Sequence, residues 1–238
     1  MLQWAREDVG RICLLNYGLI QISEGIDHQE SSTGLTMERR KKVTAVVGTY
    51  RKGGVIDAAV DEILAAAKDE GAEIQKIDLP HKYIEFCTNC RACAQEPGQE
   101  RGKCHIADDM AAILDEIETS DAIVLASPVN FGTVTAVMKR FIERLVCFAY
   151  WPWGMNGPKV RNKQKRKRAI VVVSSAAPSL MTRFLTQITG LLKKAAELLG
   201  AKTIGVLFIG LAGQEQNQQV SERIKKRARQ LGKKLVST

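Results

Sequence analysis

From Lys42 onward the apolar positions of the chain change rhythm repeatedly. Val43 to Gly48 (VTAVVG) is a short continuous run with β-branched residues, the pattern of a strand buried on both faces. Val55 to Glu70 then puts Val55, Ala59, Ile63, Ala66 and Ala67 on one helical face, and Gly71 ends it. Glu73 to Ile77 reads as a second strand. Asp108 or Asp109 can cap a helix running to about Thr119, with Met110, Ile113, Leu114 and Ile117 inward. Ala122–Ala126, Ala169–Ser174 and Thr203–Ile209 complete the strands. Val134–Ala149, Ser179–Leu199 and Gln216–Val236 complete the helices. This alternation predicts an α/β protein, a doubly wound parallel sheet of five strands whose leading order is 2-1-3-4-5. Ligands of such sheets bind beyond the carboxyl ends of the strands.

The first 36 residues depart from that rhythm. Residues 12–22 form a weak apolar run after Arg6 and Arg11, in imitation of a signal peptide, but Asn16 and Gln21 interrupt it and no small-residue cleavage site follows. The polar stretch SEGIDHQESSTG reads as mobile. Met37 opens MERRKK directly before the first strand. The expected organisation is therefore an N-terminal extension over 1–36, upstream of a natural start at Met37, and one domain over 37–238.

Between the second strand and second helix lie Cys87, Cys90, Cys93 and Cys104, spaced C-x2-C-x2-C-x10-C. Three thiols three residues apart can wrap one metal centre, and a fourth arriving nearby closes its shell. An iron–sulfur cluster, a zinc ion and free or redox-active thiols all remain open on spacing alone. His105 reads as a surface residue, and Cys13 and Cys147 as inert. Six cysteines in 238 residues, four of them bunched, are too sparse for a secreted disulfide scaffold. They favour metal or redox use in a cytoplasmic chain.

Three loops should meet at the strand ends. The first, Gly48-Thr49-Tyr50-Arg51-Lys52-Gly53-Gly54-Val55, has glycines that let backbone N–H groups approach an anion, a hydroxyl at Thr49 and a guanidinium fork at Arg51. It matches neither a Walker loop nor G-x-G-x-x-G, and supports phosphate binding against the alternative of a simple tight turn. The second, Ser127-Pro128-Val129-Asn130-Phe131-Gly132, offers an amide and an apolar face on which a planar ring could lie. Ser174, Ser175 and Ala176 form the third. Trp151 to Gly157 (WPWGMNG) brings aromatic residues beside that mouth, as a lid, an interface segment or a packed loop.

The length suffices for one sizeable core, and no stretch approaches the ~18–20 apolar residues of a membrane span. The formal charge of +9 is concentrated at Arg39–Lys42, Lys159–Arg168 and Arg223–Lys234. Such runs read first as solvated surface. The sharper alternatives are attraction of an anionic cofactor and loose nucleic-acid contact. No aromatic residues interleave with the basic ones, which argues against a nucleic-acid platform.

Over roughly Val43 to Ile209 the residues resemble the flavodoxin-like superfamily of NAD(P)H-dependent FMN reductases, and more narrowly its iron–sulfur flavoprotein branch. Gly48 to Ile56 is similar to the family's phosphate loop, with Val55 and Ile56 where an amide and a hydroxyl are usual. Ser127 to Gly132 is similar to its flavin loop, with Asn130 replacing a tyrosine, and Lys139-Arg140-Phe141-Ile142-Glu143-Arg144 to the helix that follows. The cysteine loop and Cys104-His105-Ile106-Ala107-Asp108-Asp109-Met110 are also family-like, although the final gap of ten residues exceeds the family's.

The resemblance implies noncovalent FMN held by Thr49, Arg51, Lys52, Gly53, Gly54, Val55, Pro128, Val129, Asn130, Phe131, Gly132, Ser174, Ser175 and Ala176. It implies a [4Fe–4S] cluster on Cys87, Cys90, Cys93 and Cys104, and NAD(P)H as a possible donor. A homodimer or homotetramer exchanging electrons with a small molecule or a redox protein goes with it, away from membranes and nucleic acid. Electron or hydride transfer then runs through the flavin ring, and no side chain is assigned as catalytic. The alternatives are a cluster-free FMN or quinone reductase and a flavodoxin-like electron carrier.

Overall fold

The computed structural model describes residues 39–180 and 186–237, so the extension expected over 1–36 and the start at Met37 lie outside the described residues. The elements run β1 (Lys42–Val47), α1 (Val55–Asp69), β2 (Glu73–Asp78), α2 (Met110–Glu118), β3 (Ala122–Pro128), α3 (Ala136–Glu143), β4 (Ala149–Tyr150), β5 (Lys159–Val160), β6 (Lys167–Ser174), α4 (Ile188–Leu198), β7 (Ala201–Ile209) and α5 (Glu222–Val236). The main sheet is wholly parallel, in the order β2-β1-β3-β6-β7. Leaving aside the small antiparallel pair β4–β5, this is the expected 2-1-3-4-5 arrangement.

Central strands β1, β3 and β6 are apolar on both faces because both are covered. Ile56, Ala59, Val60 and Ile63 of α1 join Ala228, Leu231 and Leu235 of α5 over one face. Met110, Ile113 and Leu114 of α2, Met138 and Phe141 of α3, and Ile188, Leu192 and Ala195 of α4 cover the other. All five main strands therefore deliver their carboxyl ends to one edge.

Three helices are shorter than the sequence pattern predicts. The helix expected over Val134–Ala149 ends at Glu143, tightens into a 3-10 segment over Arg144–Phe148, and leaves as β4. The change of winding buries Arg144 and Cys147 instead of presenting them on a continuing helix. The helix expected over Ser179–Leu199 has its described body at Ile188–Leu198, and residues 181–185 of that expectation lie outside the described residues. The last helix begins at Glu222 rather than Gln216, because the intervening glutamines and asparagine form a loop. At the start of α2 the cap position is Asp109, yet Asp108 Oδ1 accepts the Met110 N–H at 3.0 Å, while Asp109 Oδ2 accepts from Tyr83 N–H at 2.9 Å.

Candidate functional site

At the carboxyl edge of the sheet lies a cleft of about 740 Å3. Thr49 to Ile56 wall it from β1, Pro128 to Asn130 from β3, and Ser174 to Ala176 from β6. These are the three loops that the sequence brings together, and Tyr50 and Ile56 join the residues expected to bind. Phe131 and Gly132 are not among the wall residues. The reason is a tight reversal: Asn130 and Thr133 exchange backbone hydrogen bonds at 2.9 and 3.0 Å, with φ of +47° at Phe131 and +77° at Gly132. Two central residues at positive φ make a hairpin-type turn, tolerated easily at Gly132 and strained at Phe131. That turn leaves the Phe131 ring fully exposed.

A fourth wall comes from the loop after β7, with Ala212, Gly213 and Gln216 to Gln219. Sequence reading assigned Gln216 onward to a helix. The signal available was QEQNQQ, a run without one apolar position between Gly213 and Val220. Gln218 closes the loop on itself, accepting from Gly213 N–H at 2.6 Å and donating to Leu211 O at 2.9 Å.

The walls are fixed from behind. Buried Thr135 donates its hydroxyl to Gly48 O at 2.6 Å, receives the Met138 N–H as the cap of α3, and offers its own N–H to Ser127 Oγ at 3.1 Å. Val129 N–H donates to Ser174 O, and Ala212 N–H to Ser175 O, both at 2.8 Å. At the start of α1 the capping residue is Gly54, which has no side chain to accept the first-turn N–H groups. An uncapped N-terminus at the end of a cleft suits an anion. Asp57 accepts the Gly53 N–H at 2.7 Å and pairs with Lys76. Burial opposes its charge, yet the Lys76 ammonium and the Gly53 N–H hold its carboxyl below the ordinary range. The cleft's size and its uncapped helix thus fit a ring-bearing mononucleotide such as FMN.

The cysteine loop is a separate construction. Cys90 is exposed, Cys87 and Cys104 are half-buried, and Cys93 is buried. Burial pushes the Cys93 thiol up, and the neighbouring thiols of Cys104, Cys87 and Cys90 add to the rise, so all four sulfurs share one neighbourhood. The Ala92 N–H and the Thr88 hydroxyl hold the Cys90 thiol below its ordinary value. Asn89 and Arg91 flank Cys90 at φ of +54° and +55°. Left-handed residues alternating along a turn gather backbone N–H groups into a concavity that suits anionic sulfur. His105 is exposed, with Nδ1 3.7 Å from Cys90 Sγ. Among the described residues no three His, Cys, Asp or Glu side chains converge at the spacing of a single metal ion. Four neighbouring thiols with N–H and guanidinium donors around them nonetheless have the chemistry of a cluster site.

Distant residues brace this loop. Arg144 is buried and grips buried Asp108 through both nitrogens. Burial opposes the charge on Asp108, but Arg144 and the Glu85 and Met110 N–H groups keep its carboxyl below the usual range. The same guanidinium donates to Glu85 O at 2.9 Å and reaches Cys104 Sγ at 3.6 Å. Arg161, from the basic run, donates to Cys93 O and Ala149 O at 3.1 Å. Gly102 sits so close that a Cβ there would lie 1.6 Å from Cys93 O, and its N–H donates to Cys147 O at 2.8 Å. Burial, with a contribution from the Cys93 thiol, pushes Cys147 up to about 12. Trp151 and Trp153 stack on Arg91, 3.5 and 4.6 Å from its guanidinium carbon, and the Trp151 backbone N–H donates to Ala94 O. The WPWG segment is therefore packed on the cysteine loop and supplies no wall of the first cleft.

Four of the seven cations in Lys159–Arg168 are engaged within the protein. They are Arg161, Lys165, which pairs with Glu197 at 3.3 Å, Lys167, which donates to the carbonyls of Glu118 and Ser120, and Arg168, which donates to Lys234 O. No helix among the described residues is long and apolar enough to cross a membrane.

The family model described as NADPH-dependent FMN reductase matches residues 41–206. An iron–sulfur flavoprotein of Archaeoglobus fulgidus is 35% identical over 111 residues, covering 47% of this chain and 48% of that protein. One of Methanocaldococcus jannaschii is 38% identical over 103 residues, covering 43% and 51%. The matched segment thus spans about half the length of these curated relatives. Among solved structures, an FMN-dependent NADH-azoreductase from Bacillus anthracis in complex with FMN has a TM-score of 0.62 at 13% identity, over 83% of this chain and all of that one. An NAD(P)H:quinone oxidoreductase from Methanothermobacter marburgensis has a TM-score of 0.57 at 17% identity, over 82% and 99%. Likeness at such identities speaks for a shared fold.

Proposed function

Because the chain belongs to the NADPH-dependent FMN reductase family, we propose that it is an FMN-dependent oxidoreductase of the iron–sulfur flavoprotein type. It takes electrons from NAD(P)H or a reduced carrier and passes them to an acceptor, a small molecule or a redox protein. The observation that carries this reading is the first cleft, where the loops after β1, β3 and β6 face one another at the strand ends. In it the phosphate belongs against Thr49 to Val55, with Arg51 supplying a charge-assisted contact and the α1 N-terminus a partial positive charge. The ring belongs between Pro128–Asn130 and Ser174–Ala176, with Phe131 and Gly132 at its outer edge. FMN, when bound, supplies the hydride and electron chemistry; the chain orients it and holds its charge.

Cys87, Cys90, Cys93 and Cys104 are the residues that would hold a [4Fe–4S] cluster, which would supply single-electron steps. The names of the relatives and the shared neighbourhood of the four thiols support this. The second reading is a cluster-free NAD(P)H-dependent FMN or quinone reductase, in which Cys87, Cys90, Cys93 and Cys104 act as free thiols. A homodimer or homotetramer in the cytoplasm, with a domain over 37–238 and an appended segment over 1–36, completes the proposal.

An absorbance spectrum of protein purified without oxygen, paired with iron and sulfide analysis, decides between the readings. Flavin bands with a broad shoulder bleached by dithionite, and stoichiometric iron, are expected. Flavin bands without iron would move the assignment to the cluster-free reductase. Absence of flavin, with no uptake of added FMN, would sink both.

A further inference from the structure

A second cleft, of about 840 Å3, shares no wall residue with the first. It runs between the cysteine loop, α2, the C-terminal end of α4 and the basic segment before β6. We propose that it binds a small ring-bearing anion, an aromatic carboxylate or sulfonate, with the ring on an apolar floor and the acid group between Lys103 and Arg166.

The floor is made by buried Met110, Leu114 and Leu199, with Phe148 and Leu198 partly exposed beside them. A methionine thioether and a phenyl ring both favour contact with another ring over contact with water. The volume falls in the range of small-molecule sites.

The charge of the rim selects an anion. Arg101 faces two carboxylates, Asp115 and Glu118, whose extra negative charge is offset by Lys167 beside Glu118, and Arg144 is neutralised by Asp108. Lys167 is turned onto the carbonyls of Glu118 and Ser120. Lys103 and Arg166 are exposed wall residues, and among the described residues neither has an ion-pair partner. Glu100 is the one wall acid in the same condition. Two cations against one acid leave a positive surplus at the mouth, above an apolar floor: the arrangement that an aromatic anion complements. Cys104 is also a wall residue, so an occupant would stand beside the cysteine loop.

Isothermal titration of the full chain, with FMN bound, against anthraquinone-2-sulfonate tests this. One site per chain is expected, weakened about tenfold when two exposed charges are reversed in Lys103→Glu/Arg166→Glu. Leu114→Trp, which fills the floor, should remove binding; if it disturbs folding, the double variant carries the test alone. FMN absorbance should be the same in the double variant and the parent, which separates this site from the first cleft. No binding of the probe overturns the proposal. So does binding that added FMN displaces or that the double variant leaves unchanged, since the probe would then sit elsewhere.

Discussion

The walls of the first cleft leave β1, β3, β6 and β7 at neighbouring strand ends, whereas no strand or α-helix lies between Asp78 and Met110, where all four clustered cysteines run. In the first region geometry is inherited. Parallel register aligns Val47 with Ala126 and Ser127 with Val173, so the loops that follow must start side by side. In the second it is borrowed from residues far along the chain: Arg144, Cys147 and Arg161. A cleft at strand ends can lose a contact and keep its shape. A loop held by distant side chains loses its shape with the contact.

Four predictions test that contrast. The largest effect belongs to Arg144→Leu, which leaves Asp108 charged, buried and unpaired; a loss of about 3–5 kcal/mol in urea unfolding is expected. Arg144→Met/Asp108→Leu should recover part of it, and no recovery would mean that the arginine acts through packing alone. Next comes Arg51→Ala, which removes the proposed charged contact to phosphate, worth about 1.5–3 kcal/mol. FMN binding followed by fluorescence should weaken about tenfold or more with the melting temperature little changed. Third is Gly102→Ala, whose methyl group collides with Cys93 O and should cost about 1–3 kcal/mol. Iron content should fall while FMN stays, and equal loss of both would erase the distinction between the regions. The smallest effect concerns acid. Asp57 has a depressed folded-state value, so its stabilisation is complete above its ordinary 3.8 and fades as pH falls through the lower folded value. FMN release on acidification should therefore begin at higher pH in Asp57→Asn than in the parent at equal protein concentration.

The sheet was legible because its central strands, such as VTAVVG, are apolar on both faces, which only a doubly covered parallel strand requires. The three loops were legible as a consequence of topology. Helix ends were less so. The apolar spacing after Val134 continues through Leu145 and Cys147, and nothing local announces that the chain tightens at Arg144; the ion pair with Asp108, 36 residues away, decides it. Phe131 was assigned to the ring site on its apolar character, but the positive φ that aims it outward arises from the Asn130–Thr133 pairing. The tryptophans were expected near the cleft mouth, and their stacking on Arg91 needed the fold to bring positions 91, 151 and 153 together.

The grip of Arg161 on the Cys93 carbonyl spans 68 residues. A nascent chain emerging from the ribosome presents all four clustered cysteines long before it presents Arg161, and before β6 and β7 can join the sheet. The thiols are thus displayed early and braced late, and the loop takes its finished shape only after the chain has been made beyond Arg161.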